Sequence, residues 1–410
     1  MVKRIWKYAR FTLFHSLTLP FMLGLTLGGH WIGLGLLMAV LCFVGGDLLA
    51  GDDNSEPVYH RPWLLDVLLY SSLPLLLLMY FLLIWLVAPN DLLGYGRWVQ
   101  QLTGYDALAA REASSLWQLV LAVLSCGLLS ALVGTVVGHE LTHRTWHPLS
   151  MWVGRWLLAF SWDTAFAIEH VYGHHRYVGT AADPATAPRG RNVYWHIVLS
   201  TIEGNRSAWQ LEAQRLARKR QPRFSYHNRY LRGIGMSLSL SLLVFVAAGW
   251  VGVLTFTASA LLAKAFLEIV NFMEHYGIVR DPATPVQPRH SWNTNKRASS
   301  WGMFNLTRHS HHHAEGDVPF YRLRPYPDAP LMINGYLSTL LLTLIPPLWQ
   351  HLMLPRVMAW DQHYASAAEL ELASAANQRS GIARLQALDY TAMIAQRKLA
   401  EGLSSTTEVG

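Results

Sequence analysis

A membrane-crossing helix needs about 20 mostly apolar residues, and this chain supplies runs of that kind repeatedly. Phe11 to Gly46 contains no Asp, Glu, Lys or Arg. It is long enough for two helices, with Gly28-Gly29-His30 as the turn between them. Val67 to Ala88 is a third uncharged run and Leu116 to Gly138 a fourth. Gly233 to Phe272 is interrupted only by Lys264 and Glu268; it is too long for one span and fits two. The expected fold is an all-α integral membrane bundle of about six transmembrane helices, because only helices and closed barrels satisfy their backbones in lipid. Of the 410 residues, 52% are hydrophobic and 14% charged, against roughly 25% charged in soluble domains. Leu331 to Trp349, broken by Pro346-Pro347, is expected to lie in the interface. Residues 1–360 read as the membrane domain, and 361–410 as a polar, partly helical, exposed tail.

Basic residues set the orientation. The N-terminus (Lys3, Arg4, Lys7, Arg10) is expected on the cytoplasmic side of a bacterial-type inner membrane, ahead of a retained first span. Two crossings return the chain near Asp47, two more at His139, and two more at His275. The stretch between Arg144 and Arg232 is rich in arginine, which agrees with a cytoplasmic placement. The net charge of +7 therefore reads as a topology signal, with no nucleic-acid partner. If Gly233 to Phe272 crossed only once, His275 would face the opposite side from His139. Lys264 and Glu268, spaced i,i+4, read as a structural ion pair on one helix face. Two cysteines inside apolar runs give neither a disulfide framework nor a thiolate metal site.

The anomaly is histidine, of which there are 19. The first cluster is His139-Glu140-Leu141-Thr142-His143. Its i,i+4 imidazoles share a helix face and can chelate one metal. The string also fits the H-E-x-x-H pattern of zinc proteases, with Glu140 as base. The second cluster runs from Glu169 to His175. His170 and His174 repeat the i,i+4 spacing, and His175 can turn toward a neighbouring metal. The third cluster contains Glu274-His275, and the fourth His309-Ser310-His311-His312-His313. The expected ligand set is His139, His143, His170, His174, His175, His275, His309, His312 and His313. A catalytic zinc usually takes three protein ligands; this set suits two ions. Imidazole binds Zn, Cu, Fe and Ni alike, so ligand type alone does not choose the metal. Glu140, Glu169, Glu274 and Asp317 are candidates to orient the rings.

These clusters resemble the membrane-bound alkane 1-monooxygenase family and the related xylene monooxygenase hydroxylases. The matching elements are His139 to His143, Glu169 to His175, Asn271 to Gly277 and Leu306 to Ala314. Arg289 to Asn293 and Asp183 to Thr186 also match. The Asn271 to Gly277 box matters most, because membrane desaturases lack it in this form. Phe272 replaces the family's usual tyrosine. His311 replaces an aspartate that would orient an imidazole. The resemblance covers roughly residues 10 to 360. It implies a cytoplasmic di-iron centre (two iron ions) and O2-dependent hydroxylation of an unactivated C–H bond at a terminal methyl group. It also implies electrons from a rubredoxin or a ferredoxin-type donor with its reductase, and a hydrophobic substrate entering from the membrane lipid. An arginine-rich surface would steer an acidic carrier. The alternatives are hydroxylation of aromatic methyl groups, a desaturase, and an intramembrane zinc protease. The protease reading leaves most of the histidines unexplained.

Overall fold

The computed structural model describes residues 2–407. The described residues are predominantly helical, and the only extended pairings among them are two isolated bridges. After a short N-terminal helix come α1 (Leu13–Leu27), α2 (Gly29–Ala50), α3 (Trp63–Val87) and α4 (Leu116–His143). Gly28, at φ 65°, makes the turn between α1 and α2. Helices α5 (Pro148–Ala159) and α6 (Val193–Arg218) follow α4 and frame a segment, residues 166–177, that passes between them.

The stretch Arg229–His275 is helical but broken at Gly249, where φ is 60° and ψ is −155°. Only glycine adopts that backbone readily. The two halves, α7 (229–248) and α8 (250–275), fold back on each other. A Cβ placed on Gly252 would lie 3.1 Å from Val244 Cγ1, whereas residues eight apart on a straight helix are separated by about 12 Å. Ser237 on α7 donates to Ala159 O at 3.1 Å. Phe256 on α8 packs 6.4 Å from the adjacent Phe160 ring. Both halves therefore reach the same level of the bundle, as expected for two spans. With α1 to α4, they make an all-helical bundle of about six crossing segments, and His275 ends beside the other clusters.

Lys264 bonds Glu268 at 2.6 Å, the expected pair, and also Asp163 at 2.9 Å, from the loop after α5. A short helix, residues 309–314, carries the fourth histidine cluster and is denoted α9. Buried Arg308 just before it donates to Leu323 O, Asp53 O and Ser55 O at 2.5–2.9 Å, which fixes the loop between α2 and α3 against the cluster. The run expected in the interface forms α10 (Tyr336–Thr343) and α11 (Pro346–His363), bent by 120° at the two prolines. Pro346 and Pro347 cannot continue the hydrogen-bond ladder of α10 but suit the first turn of α11.

Residues expected as an exposed tail are helical from Ala367 to Arg379 (α12), with an inner face packed on the body. Leu370, Ala373 and Asn377 are buried there. Glu369 accepts from His290 Nε2 at 2.8 Å. Arg189 makes a buried bidentate pair with Asp361 at 2.5 and 2.7 Å and also reaches Asn377.

Candidate metal centre

Five of the imidazoles, from His139, His143, His170, His175 and His312, converge so that one nitrogen of each lies within 4.8 Å of the others; His174, His275, His309 and His313 converge in the same way. Nε2 of His175 sits 3.1 Å from that of His170 and 3.0 Å from that of His312. In the other group, Nε2 of His313 is 2.9 Å from His309 and 3.2 Å from His174. The rings of His175 and His313 stack across the two groups, with centroids 4.4 Å apart.

Local backbone shape decides which ring joins which group. His139 and His143 are one turn apart on α4 and stay together. Residues 170–174, by contrast, form a π-helical turn, in which the backbone closes i to i+5. His170 is thereby paired with His175, while His174 turns to the other group. The i,i+4 pairing expected for His170 and His174 is thus replaced. On α9, His309 and His313 (i,i+4) share a group, and His312 crosses to the first.

Buried imidazoles disfavour their charged form. Burial, and then the neighbouring rings, hold His170, His175, His309, His312 and His313 well below the ordinary histidine value. Neutral rings are the form that ligates metal. Nε2 of both His139 and His143 is buried without a hydrogen-bond partner among the described residues. Unpartnered nitrogens converging with other neutral imidazoles fit metal ions, so each group can hold one. His174 differs: burial lowers its pKa, but the charge and hydrogen bond of Asp183 outweigh this and raise it.

Asp183 is the orienting carboxylate that sequence reasoning missed. Its Oδ2 lies 2.9 Å from His174 Nδ1, and Thr186 donates to the same oxygen at 2.6 Å. The Asp183 to Thr186 element was the available signal. Of the residues expected in this role, Glu274 has Oε2 3.2 Å from His309 Nε2, while its Oε1 accepts from Tyr336 at 2.6 Å. Glu140 instead pairs with Arg144 at 2.9 Å, and Arg144 also holds Asp66 at 2.6 Å. Glu169 has Ser207 as its hydrogen-bond neighbour, at 3.4 Å. Asp317 lines a polar opening beside His143; like Glu140 and Glu169, it makes no hydrogen bond to an imidazole among the described residues. His311 faces away from both groups, toward Glu315 at 3.4 Å and the Arg324 backbone. His290 contributes through its carbonyl, 3.4 Å from His275 Nδ1.

An apolar cavity, part of it continuous with the exterior, ends on His139, His170 and His309. It runs along α4 from Leu128 to His139, roughly 16 Å of helix rise. Half-buried Leu128 and Ala131 on α4, with Phe266 and Val270 on α8, border its outer side.

A bundle of apolar helices that brings histidines from four sequence clusters to the end of an apolar cavity defines a membrane metalloprotein acting on hydrophobic molecules. Residues 115–331 match the fatty acid desaturase family. The chain is 32% identical to the xylene/toluene monooxygenase hydroxylase component XylM of Pseudomonas putida over 374 residues, covering 91% of this chain and 95% of that protein. It is 37% identical to alkane 1-monooxygenase 1 of Pseudomonas aeruginosa over 262 residues, 63% of this chain and 67% of the relative. It is 32% identical to alkane 1-monooxygenase 2 of the same organism over 332 residues, 80% and 82% respectively. The chain belongs to the membrane-bound alkane and xylene monooxygenase family, and is an oxidoreductase of that histidine-rich kind.

Proposed function

We propose that this chain hydroxylates the terminal methyl group of an alkane at a di-iron centre. One iron would be held by His139, His143, His170, His175 and His312, the other by His174, His275, His309 and His313. The reaction is RH + O2 + 2 electrons + 2 protons → ROH + H2O. The observation that carries this reading is the apolar cavity ending on rings of both groups. When bound, the irons supply the oxygen chemistry. The protein's own residues do the rest. Leu128, Leu132 and Leu340 hold the alkyl chain and exclude water. Asp183 fixes the His174 ring. Tyr336 holds the Glu274 carboxylate at the cavity wall.

Electrons come from a rubredoxin or a ferredoxin-type donor with its reductase, on the cytoplasmic side of the inner membrane. A cationic cleft formed by Arg215, Lys219, Arg229 and Arg232 favours an acidic carrier. A polar opening lined by Glu140, Arg144 and Asp317 also reaches His143 of the five-histidine group.

A second reading is hydroxylation of a methyl group on an aromatic ring. It is favoured by the long alignment with the xylene/toluene enzyme and by Phe43, Phe166 and Phe266 in the cavity wall. The test is product analysis of purified protein with an electron-donor system and a panel of octane, hexadecane and xylene, alongside metal analysis. Alcohol formation with two irons per chain supports the proposal. Full occupancy by a single zinc, with no alcohol from any substrate, overturns it.

A further inference from the structure

Thr135 is a polar residue that neither the fold nor the metal groups employ. It lines the apolar cavity, it is 4% exposed, and its hydroxyl has no hydrogen-bond partner among the described residues. That is unusual for a helical hydroxyl, which ordinarily bonds the carbonyl one turn back. Thr26 donates to Met22 O at 2.9 Å, Ser125 to Leu121 O at 2.7 Å and Ser241 to Ser237 O at 3.1 Å. Thr135 lies in the π-helical turn 131–136 of α4, where backbone bonds shift to i,i+5 and the usual carbonyl is out of register. A buried hydroxyl without a partner carries an uncompensated desolvation penalty. Valine has nearly the same shape and would carry no such cost, so the hydroxyl has a partner to gain.

Its position says which end of a guest it meets. Thr135 is four residues before His139, about 6 Å of rise along α4, and both side chains line the cavity. Helical side chains lean toward the N-terminus, so the His139 ring leans over the turn that carries Thr135. The hydroxyl therefore borders the histidine end of the cavity, and the distal wall around Leu128 and Leu132 is apolar.

We propose that Thr135 is a hydrogen-bonding subsite for a hydroxyl group at the metal-facing end of an otherwise apolar guest, so that the cavity binds a primary alcohol in preference to its parent hydrocarbon. The subsite needs only the cavity. Naming the alcohol as the enzyme's own product rests on the proposed hydroxylation. The hydroxyl of the guest donates to or accepts from Thr135 Oγ1, and the alkyl chain occupies the space along α4. The consequence is retention of product, seen as inhibition by alcohol.

The test uses full-length protein purified with its metal, and radiolabelled n-octanol and n-octane. Dissociation constants are measured by equilibrium dialysis for the wild type, Thr135→Val and Thr135→Ser. Comparing ratios between proteins cancels partitioning into detergent. The expected result is an alcohol-to-hydrocarbon preference roughly tenfold larger in the wild type than in Thr135→Val, the value of about one hydrogen bond. Thr135→Ser should retain most of it. If the preference is the same in wild type and Thr135→Val, with both variants folded by thermal melting, the subsite is overturned. If the valine variant loses the preference but the wild type makes no alcohol from any hydrocarbon, the subsite stands and the proposed reaction falls.

Discussion

Replacing Asp183 tests how the His174 ring is held. The carboxylate takes three short bonds: His174 Nδ1 at 2.9 Å, Thr186 Oγ1 at 2.6 Å and Ala185 N at 3.0 Å. Burial raises its pKa, but the adjacent His174 and the bonds from His174 and Thr186 outweigh this and hold the group below its ordinary value. It is thus a carboxylate acting on a ring that can ligate metal. Asp183→Asn keeps the shape and an acceptor but loses the charge. Hydrogen bonds to charged groups contribute about 1.5–3 kcal/mol and neutral ones about 0.5–1.5. The difference is about 1–1.5 kcal/mol, or roughly five- to tenfold in affinity for the metal of the four-histidine group. Asp183→Ala removes the bond altogether and should approach about a hundredfold, the upper end for orienting carboxylates. Chelator competition on the purified protein, read as metal per chain, gives both numbers. The loss should fall on one of two ions only. Glu140→Gln is the control: it breaks the pair with Arg144 but no bond to a ring, and should leave affinity unchanged. Wild-type metal affinity in Asp183→Ala would refute the reasoning, as would equal loss from both groups.

His275→Ala should release the metal of the four-histidine group as severely as His143→Ala releases that of the five-histidine group; metal analysis of the two variants decides it, and near-normal content in His275→Ala would make the third cluster structural. Gly249→Val puts a β-branched residue at φ 60°, ψ −155° and should cost about 1–3 kcal/mol, seen as a lower melting temperature. Glu369 is held below its ordinary value of 4.5 because the bonds from His290 and the Ser366 backbone, and the charge of Arg289, outweigh burial. A group with a depressed folded pKa stabilises the fold above its ordinary value and loses that contribution as pH falls through the folded one. His290, lowered mainly by burial, adds destabilisation as pH falls below about 6.5. Proteolysis within residues 365–401 should therefore accelerate below neutral pH and steepen below about 4.5, and Glu369→Gln should be cleaved faster at neutral pH with a flatter profile.

The spans were legible because a bilayer demands long uncharged runs, and each of those in the sequence became a helix. The double crossing between Gly233 and Phe272 was legible only indirectly, through the need to return His275 to the side of His139. Gly249, which makes the turn, is one glycine among several in that stretch and carries no sequence mark of its backbone conformation. The polar C-terminal region misled for a different reason. Alanine-rich helices read as exposed, yet Ala373 is small enough to let α12 approach closely, Leu370 is buried beside it, and Glu369 and Asn377 anchor it through pairs with His290, Arg289 and Arg189. Pairings between residues so distant in sequence leave no local pattern.

The division of the histidines was the least legible part, and it carries the most consequence. The four sequence clusters together contain all nine rings that the structure brings together, but helical spacing paired His170 with His174. The π-helical turn separates them, and α9 splits His312 from His309 and His313 in the same manner. The second and fourth clusters therefore each serve both groups. Neither group can assemble without the turn that also completes the other, and the stacked rings of His175 and His313 tie them at 4.4 Å. One-residue changes of register in residues 170–174 would move His175 off the first group and His174 off the second together. That mutual dependence separates this centre from the H-E-x-x-H protease reading, in which His139 and His143 would act without the rest and Glu140 would be free instead of paired with Arg144.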